Sequence, residues 1–383
     1  MQVRRLAYHR EQGWSQPLPA LDSEQTLVLS FGGTSLATDP RPFAELQAAF
    51  PKATHLGCST SGEIHGTTIQ DDSLTIAIVR FDRTQLRSTF AHVGSPDESY
   101  GAGRAIADQL AQDEGLRAVF VLSDGLQVNG SQLVRGLNDV LPTGVVVTGG
   151  LAGDGARFQA TWNLHEGRPV QGIVGAVGFY GDAIRVGHGS KGGWDIFGPE
   201  RRVTRSAANV LFELDGKPAL RLYKEYLGDR AAGLPATGLL FPLALRDGVG
   251  DDKRLVRTIL AVDEATQSMT FAGDIPEGSL VQLMRANFDR LIEGAEAAGQ
   301  VSAASTGASR GSMLSIAISC VGRRLVLGER SEEEVEAALA ALPSGTEQVG
   351  FYSYGEISPY AMGTCDLHNQ TMTLTTLSEA WPA

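Results

Sequence analysis

The chain has 383 residues, more than one ordinary core of roughly 100–200 residues accommodates, so two domains are expected. Its 42% hydrophobic and 20% charged content, with 46 Gly, describes a globular protein rich in turns and excludes a disordered one. A net charge of −12 with scattered Arg pairs argues against nucleic acid, and three Cys without CxxC spacing argue against a disulfide or zinc framework.

At the N-terminus, Met1 to Pro17 places Glu11, Gln12 and Trp14 where a signal peptide would carry its apolar run. No apolar stretch reaches the roughly 18 residues of a membrane span. A cytoplasmic protein with no membrane partner is therefore expected.

From Thr26 onward, short β-rich runs alternate with helical spacing, the pattern of an α/β sheet. Leu27–Leu29, His55–Leu56, Val119–Leu122 and Val145–Val147 are continuous apolar runs, as strands buried on both faces require. Pro42–Phe50, Tyr100–Ala111 and Ser131–Val140 read as helices between them. Each strand ends in small polar residues: Ser30 to Gly33, Gly57 to Thr60, Ser123 to Gly125, and Thr148 to Gly150. Strand-to-helix turns favour such residues anyway, but in an open sheet these ends also form the crevice where ligands bind.

After Gly150 strands dominate, with runs at Val170–Tyr180, Ala183–His188, Arg201–Thr204, Asn209–Leu214, Gly238–Phe241, Arg254–Val262, Met269–Ala272 and Leu280–Leu283. One helix is expected at Arg285–Ala298, followed by a Gly/Ser/Ala-rich loop near Ser302 to Gly311. The fold class is α/β, with two mixed α/β domains divided as 25–190 and 191–380.

The two ends of the chain echo each other. Leu27–Gly33 parallels Ile316–Gly322, each followed by a helical stretch, and Gly57-Cys58-Ser59-Thr60-Ser61-Gly62-Glu63-Ile64 parallels Gly350-Phe351-Tyr352-Ser353-Tyr354-Gly355-Glu356-Ile357. A third run, Ser73–Val79 or Thr371–Leu377, closes each unit. If the duplication is real, a pseudo-symmetry puts both Gly-Glu-Ile turns in equivalent places, flanking a cleft.

Leu214-Asp215-Gly216-Lys217-Pro218, Ser319 to Arg323, Gly350 to Ile357 and Leu367-His368-Asn369-Gln370-Thr371 resemble, in order and spacing, the C-terminal FIST domain. Gly57 to Ile64 resembles its N-terminal partner domain. The resemblance implies a bacterial sensory module that binds a small ligand beside histidine kinases or cyclic-dinucleotide enzymes. Stand-alone relatives of this kind include haem-binding nitric-oxide sensors that regulate a kinase. As read, the chain carries no output domain, so a separate signalling partner such as a histidine kinase is expected, and self-association into a homo-oligomer is left open.

Ligand-binding candidates are Cys58, Ser59, Thr60, Glu63, Cys320, Arg323, Tyr354, Glu356, His368 and Asn369, all within these motifs. Glu63 and Glu356 could bind an amine, a hydroxyl or an Arg, or simply cap turns. Cys58 and Cys320 could act as nucleophiles if a His activated them, but free Cys also serves as a small buried hydrophobe. A haem b would need an axial ligand, for which His188, among aromatic neighbours, precedes His368. No Cys-x-x-Cys-His is present, so such a haem would lack thioether bonds. Gly149 to Gly155 lacks the Lys and Ser/Thr of a phosphate loop and reads as turn punctuation. No catalytic residue is assigned; the leading expectation is a haem-mediated nitric-oxide sensor. The alternatives are a haem-free sensor of an amino acid or other metabolite, and a thiol- or carboxylate-dependent hydrolase.

Overall fold

The structure is a computed structural model that describes residues 1–248, 250, 253–306, 311–360 and 364–380. Its strands form three six- or seven-stranded sheets and a fourth of eight. The apolar runs explain why three of these sheets must close on one another. Leu27, Leu29 and Phe31 point into one buried cluster together with Phe120 and Leu122 of a second sheet and Ile316, Ile318 and Phe351 of a third. Val28, the alternate residue, faces the other way, where Phe43 and Leu46 of the helix Arg41–Ala49 cover it. Burial on both faces requires apolar residues at successive positions, which is why the run is continuous. The result is a three-sided trunk with sheets facing a common core and helices outside. Ser99–Leu110 and Gly130–Asn138 cover the second sheet, and Phe288–Thr306 and Ser331–Ala340 cover the third.

The three sheets repeat one strand order. In the first, Arg168–Val170, Asn163–His165, Thr54–Ser59, Thr26–Gly32, Leu74–Arg80 and Gln2–His9 lie side by side, with Gly13–Trp14 at the edge. In the second the order is Cys365–His368, Gly355–Pro359, Val146–Leu151, Leu116–Ser123, Ile173–Tyr180 and Gln85–His92. In the third it is Thr68–Gln70, Glu63–His65, Glu347–Ser353, Leu314–Cys320, Met372–Glu379 and Ile184–Lys191. Each sheet has one parallel pair at its centre, formed by a β-α-β unit, and the remaining neighbours are antiparallel. The hairpin that follows each unit leaves its own sheet and joins the next. Glu63–Gln70 extends the third sheet, Asn163–Val170 the first, and Gly355–His368 the second. This cyclic exchange ties the three units into one body.

The echo between the chain ends is thus present, and a third copy lies between them. Its register differs from the sequence expectation by two residues: Ser30 faces Gly57 and Ala317 faces Gly350, so Leu27 corresponds to Leu314 and not to Ile316. A slip of two keeps every side chain on its face, so apolar alternation cannot detect it. Gly57, Gly149 and Gly350 mark the shared register. A Cβ there would lie 2.4 Å from the Ser30 carbonyl oxygen, 1.8 Å from that of Val121 and 1.8 Å from that of Ala317.

The chain leaves the trunk at the end of Ile184–Lys191 and returns at the helix Phe288–Thr306. Between them lies the eight-stranded sheet, whose core packs Leu211, Leu220, Tyr223 and Phe271 around the helix Ala219–Leu227. Three local readings change. Gly238–Phe241 is not a strand, since Ala236–Leu240 is a 3-10 turn. The helix expected at Arg285–Ala298 runs from Phe288 to Thr306, so Ser302 is helical, and residues 307–310 of the expected loop lie outside the described residues. The N-terminal residues Gln2–His9 form a trunk strand beside Leu74–Arg80.

Candidate functional site

At one end of the trunk, each β-α-β unit stops and its chain crosses to the neighbouring sheet, leaving three related corners. Glu63 stands opposite Phe351, Glu356 opposite Gly150 and Asn163 opposite Cys58, which makes the three side chains equivalent. Both glutamates are fixed in the same way. Glu63 accepts from the Thr60 hydroxyl, the Ser73 hydroxyl at 2.8 Å and the Ser73 N–H at 3.0 Å. Glu356 accepts from the Ser353 hydroxyl at 2.7 Å and the Thr371 hydroxyl at 2.9 Å, with the Thr371 N–H at 3.3 Å. Burial pushes their carboxyls up, to about 7 for Glu63 and about 8 for Glu356, against the lowering effect of those donors. Their shared geometry joins the crossing segment to the strand that follows.

The three corners have diverged. The first is a small polar crevice of about 160 Å³, where Glu63, Thr60 and Asp72 face Arg157, whose guanidinium donates to the Thr34 hydroxyl at 2.6 Å. In the third, Arg324 donates to the Ser61 carbonyl at 2.7 Å and pairs with Asp71 at 2.7 Å, which fills the space. The second opens into a cleft of about 280 Å³ roofed by the inserted sheet.

That cleft has the features of a small-molecule site. Gly125, Leu126 and Leu151 come from the ends of the second sheet's parallel strands, Phe158 and Tyr354 from two crossing segments, and Asn209, Leu260 and Phe271 from the insert. Apolar walls with a few polar groups, placed at strand ends between two structural units, are the usual setting of ligand sites. Phe158 is 47% exposed and stacks on Tyr354 with ring centres 4.5 Å apart and planes 13° apart. Its backbone has φ +52°, a left-handed conformation that costs a bulky side chain about 1–2 kcal/mol. Buried Asp154 offsets that strain. It accepts from the N–H groups of Phe158, Gln159 and Ala160 at 2.8, 2.8 and 2.9 Å, and from the Tyr354 hydroxyl. Burial alone would raise its carboxyl, but these donors hold it below the ordinary range.

The insert is fastened at the cleft by Asp274. Its carboxylate accepts from Asn129 at 3.0 Å and Gln132 at 2.7 Å, at the N-terminus of the helix Gly130–Asn138.

Of the sequence candidates, Tyr354 lines this cleft, and Thr60 and Glu63 line the first crevice. The remaining residues lie elsewhere. Cys58 and Cys320 are sealed in packing, and burial raises both thiols well above their usual range, so neither is poised as a nucleophile. The Ser59 hydroxyl accepts from the Trp162 N–H at 3.0 Å, and the Asn369 amide donates to the His368 carbonyl at 3.0 Å. Arg323 is fully buried and pairs with Glu334 at 2.7 Å. Phe158, Leu260 and Leu126 went unmarked in the sequence. A large apolar residue soon after Gly153-Asp154-Gly155, in an otherwise polar loop, was the available signal.

Neither imidazole expected to ligate haem b is presented to this cleft. His368 is buried, with Nε2 2.9 Å from the Ser358 carbonyl oxygen, and burial lowers its pKa to about 4. His188 lies on the edge strand of the third sheet, its backbone N–H donating to the Ser305 hydroxyl of the covering helix at 3.0 Å.

Comparison with known proteins adds the following. The family model of the FIST N domain matches residues 26–217, and that of the FIST C domain matches residues 219–359. An uncharacterized protein of Methanocaldococcus jannaschii is 26% identical over 283 residues, covering 66% of this chain and 52% of that protein, so the chain spans about half its relative's length. Among solved structures, cyanuric acid hydrolase from A. caulinodans is 13% identical and covers 78% of this chain and 100% of its own, but at a TM-score of 0.19 the likeness carries no argument.

Proposed function

The chain belongs to the FIST family, whose domains are generally small-ligand sensory domains of signal transduction, and on that footing we propose that it senses a metabolite bound directly in the cleft between trunk and insert. The observation that carries this reading is the cleft itself, built from both units and walled by the strained, exposed Phe158. A ligand there touches trunk and insert together, so it favours one relative placement of the two over others. That preference is what a sensor needs in order to report occupancy. The output partner, a histidine kinase by the family resemblance, is part of the same proposal.

Haem-mediated nitric-oxide sensing finds no support in these imidazoles, and the haem-free reading takes its place. A thiol hydrolase finds none in the sealed cysteines. The test is to expose the purified full chain to a metabolite extract supplemented with haemin, wash it, and identify what it releases by mass spectrometry. The wild type is expected to release a small compound that Leu260→Arg does not retain, and no haem in excess of that variant. Equal release from both proteins, or haem retained by the wild type alone, overturns the reading.

A further inference from the structure

The chemistry of the cleft walls narrows what can occupy them. We propose that the ligand is a neutral, flat molecule of one or two rings that lies against the Phe158–Tyr354 pair; this rests on the cleft being the ligand site. Three observations carry the inference.

First, the cavity of about 280 Å³ is at the small end of ligand pockets and suits one or two fused rings. Phe158 keeps one face available while Tyr354 backs the other, and aromatic faces favour offset stacking on flat rings. The left-handed backbone at Phe158 is held by the Asp154 hydrogen bonds, and strained residues of this kind concentrate at ligand clamps.

Second, no acidic, basic or imidazole side chain lines the cleft among the described residues. The positive end of the helix Gly130–Asn138, which would otherwise attract an anion, is already met by the Asp274 carboxylate. Asp154, behind the Phe158 wall, is occupied by backbone and tyrosine donors. A charged ligand would give up its hydration for no counter-charge, which is costly.

Third, Asn209 commits one of its two amide N–H donors to the Phe271 carbonyl at 2.8 Å and keeps Oδ1 as an acceptor. One ring N–H or O–H donor on the ligand would meet it.

The experiment titrates the full chain by ligand-observed saturation-transfer NMR with three probes: indole, which is flat and neutral; benzoate, flat and charged; and cyclohexylmethanol, neutral and puckered. Indole is expected to bind the wild type, and benzoate and cyclohexylmethanol to bind at least fivefold more weakly. Phe158→Leu, which keeps apolar bulk but removes the flat face, is expected to weaken indole about fivefold, a typical stacking contribution. Unchanged melting of the variant shows that it folds. Failure of indole to bind, or either control probe binding as well, overturns the ligand class. If benzoate is preferred and Leu260→Arg abolishes its binding, the class falls while the cleft stands. If indole binds and Leu260→Arg leaves it unaffected, the cleft reading itself falls.

Discussion

Glu63 and Glu356 illustrate how a residue can be chemically conspicuous yet structurally employed. Each closes a corner through two hydroxyl donors and one backbone N–H, and burial raises each carboxyl to about 7 and about 8 respectively. The folded state therefore retains protons that an unfolded glutamate, with a pKa near 4.5, releases earlier. Stability from these groups is full below about pH 4.5 and is lost as pH rises through 7 to 8. Each group contributes a slope of up to about 1.4 kcal/mol per pH unit over that interval. Urea unfolding between pH 5 and 8 is expected to show stability falling with pH, with a shallower fall in Glu63→Gln and Glu356→Gln. A flat profile in the wild type would contradict this. The sequence revealed these two residues through their repeated motif, and it revealed Tyr354 with them. It could not reveal that Tyr354 alone of that motif would face the cleft, because exposure at a corner is decided by which hairpin crosses to which sheet.

At the scale of elements, one buried cation holds the points where the chain leaves and re-enters the trunk. Arg323 pairs with Glu334 and donates to the carbonyl of Gly192, where the chain departs, and to that of Leu291 at 2.7 Å, where it returns. Trp194 adds a donor to the Gln370 carbonyl at 2.7 Å. Removing one partner of a buried pair leaves the other uncompensated, at about 3–5 kcal/mol. Arg323→Ala is accordingly expected to lower unfolding stability by about that amount, measured in urea, whereas Arg324→Ala, at a partly exposed pair, is expected to cost about 1 kcal/mol or less. Equal costs would show that Arg323 does not anchor those points. The β-α-β units were legible because each has paired apolar strands with a glycine at the point of close approach. The middle copy was not, because Asn163 stands where the others carry Glu, and because its crossing segment, Ala152–Trp162, is longer than Thr60–Gly62. Its strands read correctly as strands, but only their register shows them to be a repeat.

Three corners related by a common strand order need not do the same work. One is filled by Arg324, one is small and polar, and one is roofed by a sheet inserted between two trunk elements. The insertion makes the second corner the place where two units meet, which lets an occupant bear on both. That consequence was invisible in the sequence, since residues 126, 158, 209, 260 and 354 are brought together only where the insert packs on the closed trunk. The most direct measurement is hydrogen–deuterium exchange on the full chain, with and without a metabolite fraction that it retains. The account predicts slowed exchange on both walls at once, at residues 125–130 and 152–158 of the trunk and 258–273 of the insert. Protection confined to one wall, or centred instead on residues 60–63 and 71–72 of the first crevice, would contradict it.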